Sequence, residues 1–264
     1  MLPFRKASTA LAGDKIQELI ELWKAIRDDP AKTACEYERR WQRLRNEGHT
    51  AYYDIRDSFN RTRDPHDLLF LSRTCVNGLI RFNVNREFNN SLHHTRPGIS
   101  PERFRTLVIY WSNTIKNVDF VHCDYKELLS DSRPNDVIFL DPPYSGTRGR
   151  YVPDDFNIVE FFSELEILNR TGAKWALTLD GNAGSRIYNS CIPAELYKQK
   201  LTLFTGNSPF TKMMRTGKDA VMESVYLNFE PPVKLTGYFL NQPKKNPRLA
   251  HRLQMEQCSL FSGT

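Results

Sequence analysis

The sequence predicts an α/β fold: a mostly parallel sheet covered by helices on both faces, preceded by a long, largely helical segment. Three observations carry this. Short apolar runs, "VDFVHC", "DVIFL" and "AKWALTL", alternate with helix-length amphipathic stretches in the second half of the chain. Strands that are apolar on both faces and alternate with helices belong to a parallel sheet buried on both sides. Finally, "KLTLFTG" and "DAVMESVYLNF" have the length and residue types of a closing antiparallel pair.

In chain order, "DKIQELIELWKAIRDDP" sets Ile16, Leu19, Ile20, Trp23 and Ile26 at helical spacing and stops at Pro30. "TACEYERRWQRLRNEG" is a charged helix closed by Gly48. From Ala51 the chain is helical at first and becomes loop- or hairpin-like after Asn77-Gly78. In "SPERFRTLVIYWSNTI" Ser100 is the N-cap, Pro101 takes the first helical position and Glu102 stands beside it. Strand "VDFVHCD", short helix "YKELLS" and strand "DVIFLD" follow. Helix "NIVEFFSELEILNRTG", closed by Gly172, leads to strand "AKWALTLD", and from Glu230 the composition is that of an irregular basic tail.

The bulk numbers bound the class. A chain of 264 residues holds one large domain, or a domain with a sizeable insertion. Its 40% hydrophobic and 26% charged residues are those of a globular protein. A formal charge of +6 fits a polyanion partner and equally a merely soluble basic protein. The five cysteines (Cys35, Cys75, Cys123, Cys191, Cys258) form no CxxC pair, so neither a zinc site nor a disulfide framework is expected. No run approaches membrane-spanning length, and the first residues lack the apolar core of a signal peptide. The expectation is a cytoplasmic protein without a metal.

The chemistry concentrates in "DVIFLDPPYSG". A buried strand here ends in a carboxylate, two residues without an amide N–H, and an aromatic ring. Proline adds nothing to a ladder, so these groups serve something outside the strand. In open α/β sheets ligands bind beyond the carboxyl ends of strands. There, a carboxylate oxygen and a backbone carbonyl together can accept both hydrogens of an exocyclic amino group, with the prolines holding the acceptors stiff. Tyr144 offers a face for stacking a base. Drawing off both amino hydrogens concentrates lone-pair density on nitrogen, which suits methyl transfer to the amino group of an adenine flipped out of its helix.

These residues resemble those of the Dam-like DNA adenine methyltransferases. "DVIFLDPPY" is similar to the family's catalytic motif. "YYDIRDSFN" with "LLFLSRTCVNGLIRFNVNREFN" is similar to its "YYxIRxxFN…NRxxxNGLxRxNxxGxFN" signature. "VHCDY" resembles the motif before the catalytic strand and "GAKWALTLDG" the strand after it. The resemblance runs from about Ala10 to Phe229 and implies a Rossmann-like, S-adenosylmethionine-dependent methyltransferase sheet with an inserted, mostly helical target-recognition domain. It implies catalytic-domain residues 1–34 and 118–232, a recognition insertion over 35–117 and a tail over 233–264. RNA guanine methyltransferases share a related tetrapeptide but lack that long insertion, so duplex DNA is the expected substrate.

By resemblance, Asp141 and the backbone of Pro142 bind the adenine amino group in a turn completed by Pro143, and Tyr144 stacks on the ring. Asp14 takes the ribose hydroxyls of S-adenosylmethionine, with an ordinary helix cap the compatible alternative. Asp124 and Tyr125 flank the cofactor's adenine, and Asp124 also fits a cap for "YKELL". Arg73, Asn77, Arg81 and Asn83 fall in the recognition signature; Arg to guanine and Asn to adenine are common readout pairs, and some of the four instead hold phosphates or the hairpin. Arg96 is a phosphate candidate. Gln257 to Phe261, "QCSLF", resembles the pentapeptide with which bacterial proteins dock on the replication sliding clamp.

One departure stands out. Where the family has a strand and a "PFxGxG" loop, this chain reads "MLPFRKASTALAGD", with "RKAS" in place of the glycines. Three accounts fit: a fragment of an active enzyme, a degenerate homologue that binds DNA without methylating it, or a strand supplied by another chain. The first is preferred, giving an adenine-specific DNA methyltransferase of a restriction–modification system or an orphan equivalent. The missing strand should leave apolar residues exposed on its neighbours.

Overall fold

The computed structural model describes residues 9–93, 95, 98–143, 156–183, 186–188, 192–207 and 220–231. The chain divides into two compact units, one built on Ala7–Leu128 and the other mainly on the residues from Leu129 onward. Among the described residues no helix is long and apolar enough to cross a membrane.

The first unit runs β1 (Ala10–Asp14), α1 (Gln17–Asp28), α2 (Pro30–Glu47), α3 (His49–Thr62), α4 (Pro65–Thr74), α5 (Pro101–Thr114), β2 (Val118–His122) and the start of α6 (Tyr125–Ser130). β1 and β2 are parallel, with Ala10 opposite Val118 and Asp14 opposite His122. The caps follow local chemistry. Asp29 accepts the Lys32 N–H at 3.0 Å with Pro30 in the first turn of α2, and Asp64 does the same for His66 at 2.8 Å ahead of α4. Ser100 caps α5 as expected. Pro30 therefore opens the second helix as well as stopping the first, because its missing N–H costs nothing at a helix start.

The core of this unit is aromatic: Tyr37, Tyr52, Phe59, Phe70 and Phe88 are all 0% exposed. Tyr37 stacks on Phe104 with ring centroids 4.0 Å apart; its hydroxyl donates to the Ile99 carbonyl at 2.9 Å and accepts the Ile99 N–H at 3.1 Å. Gly98 is required there, since a β-carbon would lie 2.6 Å from that hydroxyl and the backbone sits at φ +87°.

The second unit contains β3 (Val137–Leu140), α7 (Ile158–Thr171), β4 (Lys174–Ala183), β5 (Arg186–Tyr188), β6 (Gln199–Asn207) and β7 (Ala220–Leu227). Its sheet has the order β3-β4-β7-β6, with β5 paired to β4. β3 and β4 are parallel, with Leu140 opposite Leu177, whereas β7 is antiparallel to both β4 and β6. The parallel β3–β4 pair and the antiparallel β6–β7 pair are those that the sequence predicts, but the sheet is mixed rather than mostly parallel, because β7 lies directly against β4, and among the described residues β2 pairs with β1 instead of joining it. Asn157 caps α7 and Gly172, at φ +84°, ends it. Phe161, Leu165 and Leu168 of α7 are buried, as are Trp175, Leu177 and Leu179, which alternate along β4.

Among the described residues β1 pairs only with β2, and β3 only with β4. Both carry exposed apolar side chains: Leu11 is 55% exposed, Val137 63% and Phe139 67%.

Candidate active site and nucleic-acid interface

The end of β3 is set by its residues. Lys174 N–H donates to the Asp136 carbonyl at 2.8 Å at the entry of the strand pair, and the ladder runs to Leu140. Asp141, Pro142 and Pro143 follow immediately, and prolines contribute no further ladder donor. Asp141 is exposed, and its Oδ1 accepts a hydrogen bond from the Thr178 hydroxyl at 2.6 Å. Thr178, on β4, is the residue after Leu177 and so stands beside the one after Leu140. The carboxylate is thus tethered to the neighbouring strand. Thr178 lay in a motif noted in the sequence but carried no mark of this role.

In the first unit, Asp14 and Asp124 come together at the carboxyl ends of β1 and β2. The Ile16 N–H donates to Asp14 Oδ1 at 2.7 Å, and the Cys123 N–H donates to the Asp14 carbonyl at 3.3 Å. Asp14 is therefore not the N-cap of α1, a position held by Ile16. Burial pushes the Asp14 carboxyl above its ordinary value, against the Ile16 N–H and the nearby His122. Asp124 accepts the Lys126 N–H at 2.9 Å, capping α6, and pairs with Lys15 at 2.7 Å. Burial acts to raise Asp124 too, but the Lys15 ammonium and the Lys126 N–H outweigh it and hold the carboxyl low. Tyr125 opens α6 directly behind. Two carboxylates thus stand at or just past the ends of adjacent parallel strands, Asp14 partly buried and Asp124 held in an ion pair.

The recognition signature folds as a loop against α3. Among the described residues it has two isolated antiparallel bridges, Cys75 to Leu92 and Phe82 to Phe88, and side chains add to the backbone hydrogen bonds that hold it, such as Val76 N–H to the Ser91 carbonyl at 2.9 Å. Asn60 Oδ1 accepts the Phe88 N–H at 2.7 Å while its Nδ2 donates to the Phe88 carbonyl at 3.2 Å. Asn90 Nδ2 donates to the carbonyls of Val76 and Leu79, each at 2.9 Å, and the Tyr52 hydroxyl donates to the Asn90 carbonyl at 3.0 Å. Asn77 turns the chain at φ +59°, a conformation that asparagine tolerates.

The predicted readers divide. Arg73 is exposed in the last turn of α4. Arg81 is exposed, and its Nε and Nη2 donate to the side-chain and backbone oxygens of Asn89 at 2.8 and 3.2 Å. Asn83 instead closes its own loop: Oδ1 accepts the N–H groups of Asn85 and Glu87, and Nδ2 donates to Glu87. An open polar cleft of about 370 Å³ lies here, lined among others by Arg56, Asn60, Arg61, Asn83 and Asn89. Arg56 sits with its guanidinium carbon 4.7 Å from the Tyr53 ring centroid. Arg56, Asn60, Arg61 and Asn89 had not been singled out. Arg56 and Asn60 stand in the quoted "YYDIRDSFN" and Asn89 closes the quoted "LLFLSRTCVNGLIRFNVNREFN", the signal that could have found these three. Tyr144, Arg96 and the Gln257–Phe261 pentapeptide lie outside the described residues.

A mixed α/β sheet with Asp-Pro-Pro at the end of a parallel strand, and a helical segment carrying a polar loop, are features of a base-modifying methyltransferase. The chain belongs to the D12 class N6 adenine-specific DNA methyltransferases, whose family profile matches residues 2–190. Membership implies a methyl donor and a DNA substrate as the family's chemistry. The chain is 32% identical over 127 residues to the Type II methyltransferase M.FokI of Planomicrobium okeanokoites, a match covering 46% of this chain and 20% of that one. It is 30% identical over 99 residues to the DNA adenine methylase of Serratia marcescens, covering 36% and 35%. It is 28% identical over 152 residues to the retron Ec67 DNA adenine methylase of Escherichia coli, covering 55% and 52%. The matches thus span about half or less of these relatives.

Proposed function

We propose that this chain catalyses, or forms the substrate-binding part of a protein that catalyses, methyl transfer from S-adenosylmethionine to N6 of adenine in a specific duplex DNA sequence. A restriction–modification system or an orphan methylase is the setting that its relatives' names suggest. The observation that carries the reading is the exposed Asp141 carboxylate, fixed by Thr178 at the carboxyl end of a parallel strand and followed by two prolines.

The residues fit the donor by their chemistry. Asp14 supplies a carboxylate for ribose hydroxyls, and Asp124 and Tyr125 flank its nucleoside; when bound, S-adenosylmethionine supplies a methyl group made electrophilic by a sulfonium. Asp141 and the Pro142 carbonyl accept the two amino hydrogens of the flipped adenine and aim its lone pair. Accepting that methyl group would place positive charge on the amino nitrogen, relieved when its proton passes to solvent. The Asp141 carboxylate stabilises that charge until a proton departs, so its contribution grows toward the transition state. Tyr144 stacks on the base. Arg73, Arg81 and Arg96 serve the DNA, with Arg56 and Arg61 adding positive charge at the polar cleft; Asn77 and Asn83 shape the loop that carries Arg81. The division into residues 1–34 with 118–232, 35–117 and 233–264 is part of this proposal.

The test incubates the protein with tritiated S-adenosylmethionine and duplexes of varied sequence, then digests the DNA to nucleosides. Label in N6-methyladenine is expected, and Asp141→Ala should abolish it without loss of duplex affinity. No label on adenine, from this chain or from one extended N-terminally with a glycine-rich loop, overturns the proposal. The sequence "RKAS" where glycines are expected favours a second reading, a DNA-binding homologue without transferase activity. That reading predicts duplex binding with a steep salt dependence and no saturable S-adenosylmethionine binding by calorimetry.

A further inference from the structure

We infer that Thr178 is the positioning residue for the carboxylate that accepts the amino group, a role that rests on the reading of Asp141 given above. β3 and β4 are parallel neighbours with Leu140 opposite Leu177. The next residue on each, Asp141 and Thr178, therefore come side by side where the strands end. The Thr178 hydroxyl has one proton and two acceptors near it, Asp141 Oδ1 at 2.6 Å and the Leu140 carbonyl at 3.3 Å. The shorter contact has the length of a charge-assisted O–H···O⁻ bond and takes the proton.

The consequence lies in the freedom it removes. The last torsion of an aspartate side chain is broad, so an exposed carboxylate rotates unless something holds it. Tying Oδ1 to β4 fixes the plane of the group and leaves the second oxygen to meet an amino hydrogen. The Pro142 carbonyl needs no such help, because the two pyrrolidine rings stiffen the backbone. Two acceptors that must act on one nitrogen are thus immobilised by two separate devices. Only one of these is a removable side chain.

β4 is shaped for the task. Between Thr178 and Gly181 its pairing with β7 shifts register, three steps along β4 matching two along β7 from Val225 to Glu223. Such a bulge bends a strand and re-aims its side chains. Leu177 and Leu179, both 0% exposed, place Thr178 on the face opposite the core. A threonine chosen only for its strand preference could be replaced by valine without consequence, and this separates the two explanations.

Thr178→Val keeps the branched shape and removes the donor, whereas Thr178→Ser keeps the donor. Single-turnover methyl transfer by Thr178→Val should fall by about 10- to 100-fold, the scale of a misplaced reacting group, with KM for duplex unchanged. Thr178→Ser should recover most of that rate. Crystal structures of the three proteins give a readout independent of turnover: the Asp141 carboxylate should keep its orientation in the wild type and the Ser variant and turn in the Val variant. Equal rates for wild type and Thr178→Val, or equal losses for Val and Ser, overturn the inference. Failure of both the wild-type chain and its N-terminally extended form to transfer a methyl group overturns the proposed function instead; the crystallographic comparison then decides alone, and an unturned carboxylate in Thr178→Val refutes the positioning role.

Discussion

Replacing Arg40 with methionine should destabilise the first unit by about 3–5 kcal/mol, the range for leaving one partner of a buried ion pair alone. Arg40, on α2, is 2% exposed and Asp67, on α4, is 4% exposed. The guanidinium donates from Nε to Asp67 Oδ1 at 2.6 Å and from Nη2 to Asp64 Oδ2 at 2.9 Å. Its Nη1 donates to the Glu36 carbonyl at 3.0 Å and to the Glu36 carboxylate. One cation thus serves three carboxylates and ties α2 to the start of the helix leading into the recognition loop. The three acids do not lose equally when it goes. The Asp64 and Glu36 side chains are 37% and 29% exposed and rehydrate at little cost. The Asp67 side chain, 6% exposed, has almost no water to turn to, and the penalty is chiefly its own.

Urea unfolding followed by far-ultraviolet circular dichroism, dominated here by α1 to α5, reads the effect. With a slope of about 2 kcal/mol per molar, the midpoint should drop by roughly 1.5–2.5 M. A second variant isolates the cause. Arg40→Met combined with Asp67→Leu removes the orphaned charge and should regain most of the loss, because apolar replacement of a buried pair is often close to neutral. A single variant within about 1 kcal/mol of wild type, or a double variant no better than the single, refutes the assignment of the penalty to Asp67.

Two further outcomes follow from the same region. Asn60→Ala strips both hydrogen bonds from the backbone of Phe88 and should cost about 1–3 kcal/mol, speed hydrogen exchange at the Phe88 amide and weaken duplex binding; unchanged exchange at that amide would count against the clamp. The hydrogen bond from His66, followed by the His66 N–H and Arg40, holds the Asp64 carboxyl down at about 2, below its ordinary 3.8. A depressed carboxyl contributes stability that is complete above 3.8 and is lost as pH falls toward 2. With the side chain 37% exposed, screening reduces this to about 1 kcal/mol, and Asp64→Asn should flatten that acid limb in urea midpoints taken from pH 2 to 5.

What the sequence made legible is what chemistry writes locally. An apolar run ending in Asp-Pro-Pro has few explanations, and Ser100 marks a helix start because it accepts an N–H three residues on; Asp29 and Asp64 cap helices in the same way but were not read, so α2 begins at Pro30 rather than at the expected Thr33. β1 escaped a reading from periodicity because "ALAGD" holds two alanines and a glycine and gives no alternation; the resemblance at Asp14 was the only pointer to it. β5 was missed because it is three residues long. The tether of Asp141 joins residues 37 apart, and the clamp of Asn60 on Phe88 spans 28. Neither can be deduced before strand register and helix packing are known.

Arg81 and Asn83 show how far residue type alone carries a recognition loop. Both belong to the signature and both suit base edges, yet their environments differ. Asn83 uses its amide on Asn85 and Glu87, so a base could claim it only by opening the loop it closes. Arg81 is held along one edge: Nε and one Nη2 hydrogen go to Asn89. A guanidinium has five N–H donors, so the Nη1–Nη2 edge keeps a parallel pair, the number that a bidentate contact to guanine requires. Asn89 therefore orients the fork without consuming the pair of donors that a base edge would need on the proposed function, and would reduce the side-chain entropy lost on binding. On the proposed function, Arg81 is the one of the two with donors left for a base edge, and Asn83 the one that closes the loop.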